Sequence, residues 1–248
     1  MTAQKLKRRY LRISLRTLLL LVTVLGVALG VYLNRVQQQA RAVAMIERLG
    51  GQCWYTYQVD ENRIGYQTPR EPSAPKWLRT VLSDHFFTTV IMVNLKQSEV
   101  TDDDLKLLVG LRNLKRLDLE GPSITDSSLE HIGRMTSLEV LHLFDTRVTD
   151  QGLAHVATLK QLTSLGLSVS RISDKGLVHL SGLKALETLY MTENEITNDG
   201  LKALSGLPSL KEVQAFNTQV TPEGGARYLP GVLVKTGRAA VASPLRSR

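Results

Sequence analysis

"ITDSSLEHIGRMTSLEVLHLFDTR", Ile124 to Arg147, runs directly into "VTDQGLAHVATLKQLTSLGLSVSR", Val148 to Arg171, which repeats its apolar skeleton while changing most other residues. Units beginning at Val100, Ile124, Val148, Ile172, Ile196 and Val220 give five full repeats of 24 residues and a shortened sixth, with no insertion between them. Such a constant period marks one structural unit stacked on itself. Position 6 is Leu105, Leu129, Leu153, Leu177 and Leu201; position 12 is Leu111, Met135, Leu159, Leu183 and Leu207. Positions 9 and 15 are apolar in the same way, as are positions 18 and 20. The three-residue spacing of positions 6, 9 and 12 is that of a tight helix, whereas 18 and 20 alternate as in a short strand. Each unit therefore reads as strand, loop and short helix. One unit alone cannot bury its leucines, but stacking does so, with the strands in a parallel ladder at ~4.8 Å. The conserved skeleton is the core and the variable positions are the surface.

At each helix start, Thr101-Asp102, Thr125-Asp126, Thr149-Asp150 or Ser173-Asp174 supplies side-chain oxygens to cap free N–H groups. The recurring pattern LxxLxLxx(N/C/T)x(I/V)(T/S)D resembles the leucine-rich repeat, specifically the cysteine-containing-like subclass with a "TDxGL" ending. The resemblance covers Val100 to about Tyr228 and implies an α/β leucine-rich repeat solenoid: strands on the concave side, short helices on the convex side. The subclass's polar turn residue falls on Pro122, Thr146, Ser170, Asn194 and Thr218. Upstream, "SLRTLL", a helix ending in Gly50-Gly51, an aromatic strand and "WLRTVLSDHFF" look like a group of bacterial single-pass membrane-anchored leucine-rich repeat proteins.

The net charge of +8 raises the question of nucleic acid until it is located. Seven bases and no acid lie in residues 1–35, and four bases and no acid in 235–248; the remainder holds 20 bases against 23 acids. The folded part is mildly acidic, so no nucleic-acid partner is expected. "TLLLLVTVLGVALGVYL", Thr17 to Leu33, carries no charge, is flanked by Arg16 and Arg35, and would span ~25 Å as a helix. Six bases precede it and three follow in the next 17 residues, which places the N-terminus in the cytoplasm. The expected organisation is a basic cytoplasmic segment (1–16), a transmembrane helix (17–33), a membrane-proximal helix, strand and loop (34–75), an N-terminal capping repeat (76–99), the repeats (100–234) and a disordered basic tail (235–248). The expected location is the cytoplasmic membrane, single-pass, with the C-terminal domain periplasmic or extracellular; a cleaved signal peptide is the alternative. Gly26 and Gly30 form a small-xxx-small pattern that favours a homodimer of membrane helices. Lone Cys53 excludes an intramolecular disulfide, so the domain depends on its core.

The cap is expected to be a degenerate repeat, with Val81, Phe87, Val90, Val93 and Leu95 in core positions and Trp77, Leu78 and Phe86 closing the end. Gly225 and Gly231 replace core leucines near the other end. Position 8 repeats as His131, His155 and His179, the one constellation with catalytic potential, since three histidines can hold a zinc with an open fourth place. A half-exposed helix site explains the same column without a metal. No H-E-x-x-H, G-x-S-x-G or phosphate loop occurs, so no enzyme activity, cofactor or metal is expected. A metal-dependent hydrolase on the histidine column and a structural envelope spacer are the alternatives to recognition. In a strand ladder the residues between the leucines point outward, and aromatics and arginine anchor most interfaces. The expected binding residues are thus Arg116, His142, Phe144, Tyr190, Gln214 and Phe216 on the concave face, and the expected partner is a protein or cell-envelope ligand.

Overall fold

A computed structural model describes residues 14–60, 63–67, 72, 74–82 and 84–238. Most of the basic segment 1–16, and the tail from residue 239 onward, lie outside the described residues. The chain forms two compact units, Met1–Gln37 and Gln38–Arg248. Helix α1, Leu15–Arg48, begins in the first and ends in the second. Its apolar run is exposed along its length, and α1 is the one helix among the described residues long and apolar enough to cross a membrane.

The second unit continues through strand β1 (Gln52–Tyr55), a two-stranded ribbon of β2 (Val59–Asp60) and β3 (Arg63–Gln67), and helix α2 (Lys76–Leu82). The ladder follows as β4 (Val90–Leu95), β5 (Arg116–Glu120), β6 (Val140–Phe144), β7 (Ser164–Gly166), β8 (Thr188–Tyr190), β9 (Glu212–Gln214) and β10 (Leu233–Lys235). All are parallel and in sequence order, and β1 adds to β4 antiparallel. The convex side carries α3 (Asp102–Leu108), α4 (Asp126–Ile132), α5 (Leu153–Val156), α6 (Asp174–Leu177) and α7 (Pro222–Tyr228), with single 3-10 turns at Val178–Gly182 and Gly200–Leu204. The leucines of positions 6, 9, 12, 15 and 18 are buried in one continuous cluster.

Both ends depart from the sequence reading. Val81 and Trp77, expected to fill and close the first repeat, are 73% and 69% exposed, and Phe87 is half-buried. The first ladder strand is covered instead by the end of α1, through buried Ala42, Val43, Met45 and Ile46, and by β1, which pairs Cys53 with Val93. Those residues carry no 24-residue period, so the repeat could not reveal them. At the other end, Lys235 belongs to β10 rather than to a tail: Val234 pairs with Val213, and Gly237 accepts from the Asn217 N–H. Gly225 replaces a leucine because Val234 packs against it, within 3.0 Å of where a Cβ would stand.

The aspartates also do something other than expected. Thr101, Thr125, Ser173 and Thr221 cap their own helices, but Asp126 accepts from the N–H and hydroxyl of Thr149 in the next repeat, at 2.8 and 2.6 Å. Asp150 serves Ser173 at 2.8 and 2.5 Å, and Asp174 serves Thr197 at 2.8 and 2.6 Å. Asn198 makes the corresponding link to Thr221, its Oδ1 accepting from the N–H at 2.9 Å while its amide donates to the hydroxyl at 3.3 Å. A Cβ on Gly152, Gly176, Gly200 or Gly224 would collide with that preceding Asp or Asn side chain. The "TDxGL" ending is thus one device: Asp reaches forward, and Gly leaves the room it needs. In the first pair Ser128 stands in the glycine's place, accepting from the Thr125 N–H at 3.2 Å and donating to Asp102.

Position 22, just after each strand, is left-handed in every repeat: Gln97, Gly121, Asp145, Val169, Glu193 and Asn217 have φ between 51° and 118°. β-branched Val169 suits this conformation worst, and it is also exposed. Val169→Asn is expected to raise stability by ~1 kcal/mol, measurable as a higher urea midpoint with unchanged slope.

Candidate functional site

Strand pairing sets the concave face in columns. Position 19 reads Asn94, Asp118, His142, Gly166, Tyr190, Gln214 and then Lys235, each level with its neighbour across the ladder. Position 17 places Arg116, Val140, Ser164, Thr188 and Glu212 in the adjacent column. Because neighbouring strands are ~4.8 Å apart, side chains in one column touch without any loop to hold them.

Asp118 organises the face. It is 4% exposed, and Arg116 grips it twice, Nε to Oδ2 at 2.7 Å and Nη2 to Oδ1 at 3.2 Å. His142 Nδ1 lies 2.7 Å from Oδ1. An ionised carboxylate only accepts, so Nδ1 donates to Asp118, while Nε2 lies 3.3 Å from the Ser164 hydroxyl. Burial opposes ionisation of the Asp118 carboxyl, but hydrogen bonds from His142 and Arg116 outweigh it and hold the pKa below the usual carboxylate range. A lowered folded-state pKa contributes stability above the unfolded value and loses it as pH falls through the folded value. Asp118→Asn is therefore expected to be less stable than the parent near pH 7, with the gap closing below about pH 4 in a urea-unfolding series.

Gly166 shapes the next step. A Cβ there would stand 2.9 Å from His142 Cδ2 and 3.3 Å from Phe144 Cζ, so its absence lets the imidazole lean across β7. His142 meets Phe144 with centroids 5.4 Å apart and Tyr190 edge-on at 5.8 Å. Lys96 lies over the Phe144 ring, Nζ 4.5 Å from the centroid. Rings from β6 and β8 thereby form one half-buried patch, pinned from below by Asp118.

Of the expected binding residues, Arg116, His142, Phe144 and Tyr190 come together. Gln214 stands level with Tyr190 on the next strand, but its amide is turned to Glu212, donating at 2.7 Å, and Glu212 also pairs with Lys235 at 2.7 Å. Phe216 follows the end of β9, three strands from Phe144. Asp118, Gly166 and Lys96 were not singled out from sequence, although Asp118 and Gly166 share the column that contains His142.

Aspartate, histidine and serine in this order resemble a hydrolytic triad. The backbone around Ser164 argues against that chemistry. The Ser164 N–H donates to Glu139 and the Leu167 N–H to Tyr190, at 3.1 and 2.7 Å, so these amides are committed to the ladder instead of facing a developing oxyanion. The histidine column fares no better: His155 and His179 are exposed, His131 half-exposed, and no group of three metal-binding side chains occurs among the described residues. The stacked aspartates, occupied by the following repeat's cap, offer no calcium site either.

Two leucine-rich repeat family models match the chain, over residues 134–157 and 160–220. No curated protein matches the sequence. Among solved structures, similarity extends to an internalin C2 from Listeria monocytogenes, 17% identical, covering 64% of this chain and 89% of that one at TM-score 0.44. The leucine-rich repeat ectodomain of the receptor kinase SOBIR1 from Arabidopsis thaliana is 15% identical over 81% of this chain and 97% of that one, at TM-score 0.42. A plant ice-binding protein is 19% identical over 56% of this chain and 47% of its own, at TM-score 0.42.

Proposed function

We propose that this chain, a leucine-rich repeat protein, is a membrane-anchored recognition module that holds a protein or envelope polymer on its concave face, outside the cytoplasm. The observation that carries the reading is the patch of Arg116, His142, Phe144 and Tyr190, fixed by the buried Asp118 carboxylate. Rigid aromatic anchors lose little entropy on binding, and this patch is held rigid before any partner arrives. A photo-crosslinking residue at 190 or 144 of the full chain, in cells, is expected to capture the partner. The same residue at convex position 178 is expected not to. Capture only from 178 would move the binding surface to the convex side. With a partner identified, Phe144→Ala and Tyr190→Ala should each weaken binding by ~1–3 kcal/mol with the unfolding midpoint nearly unchanged.

Residues 17–33 would serve as an uncleaved anchor, with residues after Leu33 across the membrane from the N-terminus. Protease added outside intact spheroplasts is expected to digest the repeats, and protected repeats would reverse the orientation. Gly26 and Gly30 lie on an open stretch of α1 where a Cβ would meet nothing within 4 Å, which suits close approach of a second copy. Gly26→Leu should then reduce dimer crosslinking in membranes.

A further inference from the structure

We propose that the concave face takes an uncharged saccharide chain; the inference rests on the concave-face reading above and chooses between its two kinds of ligand. Charge gives the first reason. Positions 17, 19 and 21 of the ladder carry three cations, Lys96, Arg116 and Lys235, against three anions, Asp118, Glu120 and Glu212. Arg116 is paired with Asp118 and Lys235 with Glu212. At the centre, β7 and β8 with the residues just after them present no charge at these positions: Ser164, Gly166 and Ser168 on one, Thr188, Tyr190 and Thr192 on the other. A charged polymer would find no complementary field there, whereas a neutral one needs none.

Unused hydrogen-bonding capacity gives the second. The hydroxyls of Ser168, Thr188, Tyr190 and Thr192 make no hydrogen bond among the described residues, and all four residues are half-buried on adjoining strands. A hydroxyl both donates and accepts, so this group complements a polyol, exchanging its water contacts for sugar contacts. Serine and threonine seldom anchor one protein to another, and a protein partner would gain little from them. Aromatic residues along the face supply the third reason. β1 pairs Trp54 with Met92, which places Trp54 in the position-17 column, and Phe144, Tyr190 and Phe216 follow along the ladder, all half-buried. From β1 to β9 is six strand steps, ~29 Å. The C–H faces of sugar rings bury apolar surface against such side chains, and platforms repeated over that length suit a chain of several sugars rather than one.

The test uses the full chain in a detergent without a sugar headgroup, applied to insoluble cellulose, chitin, starch and mannan, with polygalacturonate as the acidic control. Retention by at least one neutral polymer is expected, unchanged by added salt and reversed by the matching hexasaccharide. Calorimetric titration with that hexasaccharide then locates the site. Thr188→Val and Thr192→Val remove a hydroxyl while keeping the branched shape, and each should weaken binding about three- to ten-fold. Tyr190→Ala should weaken it more than ten-fold, and all three variants should keep their unfolding midpoints. Retention by none of the neutral polymers, or salt-sensitive retention by polygalacturonate alone, overturns the proposal. In that case a crosslinker at 190 that still captures a protein leaves the concave-face reading standing, and one that captures nothing removes both. A hexasaccharide bound with full affinity by all three variants lies off this face, which also overturns the proposal.

Discussion

Leu165→Ala is expected to destabilise the solenoid by ~2–5 kcal/mol, because it deletes a fully buried side chain at the centre of the leucine column and leaves a cavity its neighbours cannot fill. Leu165 lies between Leu141 and Leu189 in the ladder, so the cavity weakens contacts to both adjoining repeats. Repeats interact only with their neighbours, and the damage should therefore be distributed unevenly. Hydrogen exchange is expected to accelerate most from β6 to β8 and least around β4 and β1. Equal acceleration at every strand would mean that the solenoid unfolds as one cooperative block.

Asn194→Ala is expected to cost a comparable ~2–5 kcal/mol by a different route. Asn194 is buried, accepts from the Ile172 N–H at 3.1 Å, and donates to the carbonyls of Leu167 and Met191 at 2.7 and 3.2 Å. Alanine would leave Ile172 N–H and Leu167 C=O without partners, at ~1–3 kcal/mol for each buried group. Thr146 makes a simpler contact at the same position, to Ser170 at 3.0 Å, and Thr146→Ala should therefore cost less. Chemical denaturation of the two variants side by side measures the difference. Equal losses would show that filling the site matters more than its hydrogen bonds.

The two polar ladders explain why the repeat consensus contains more than leucines. Leucines supply the non-directional burial, but only hydrogen bonds of fixed length set each repeat at the correct height on its neighbour. Asn194 does this behind the strands, and Asp126, Asp150 and Asp174 do it at the helix starts. The concave face can then vary from repeat to repeat, since neither set of stacking contacts uses positions 17, 19 and 21.

By itself the sequence determined the stacked strand-and-helix unit, the leucine columns, the columns that face outward and the apolar run of Thr17 to Leu33. The first three depend on period alone: a 24-residue repeat without insertions forces equivalent residues into register, and register decides which side of the ladder each one occupies. Tertiary structure alone decided which neighbour each side chain serves. Asp150 could cap its own helix or the next, and the choice depends on backbone directions that a pattern of letters does not contain. Arg116, Asp118, His142 and Ser164 lie on three successive strands and converge only because the ladder is parallel and Gly166 leaves space beside the imidazole. The N-terminal cover was hidden for the same kind of reason. Ala42 to Ile46 and β1 meet β4 across a long non-repeating stretch of chain, so burial there was fixed by packing and not by period.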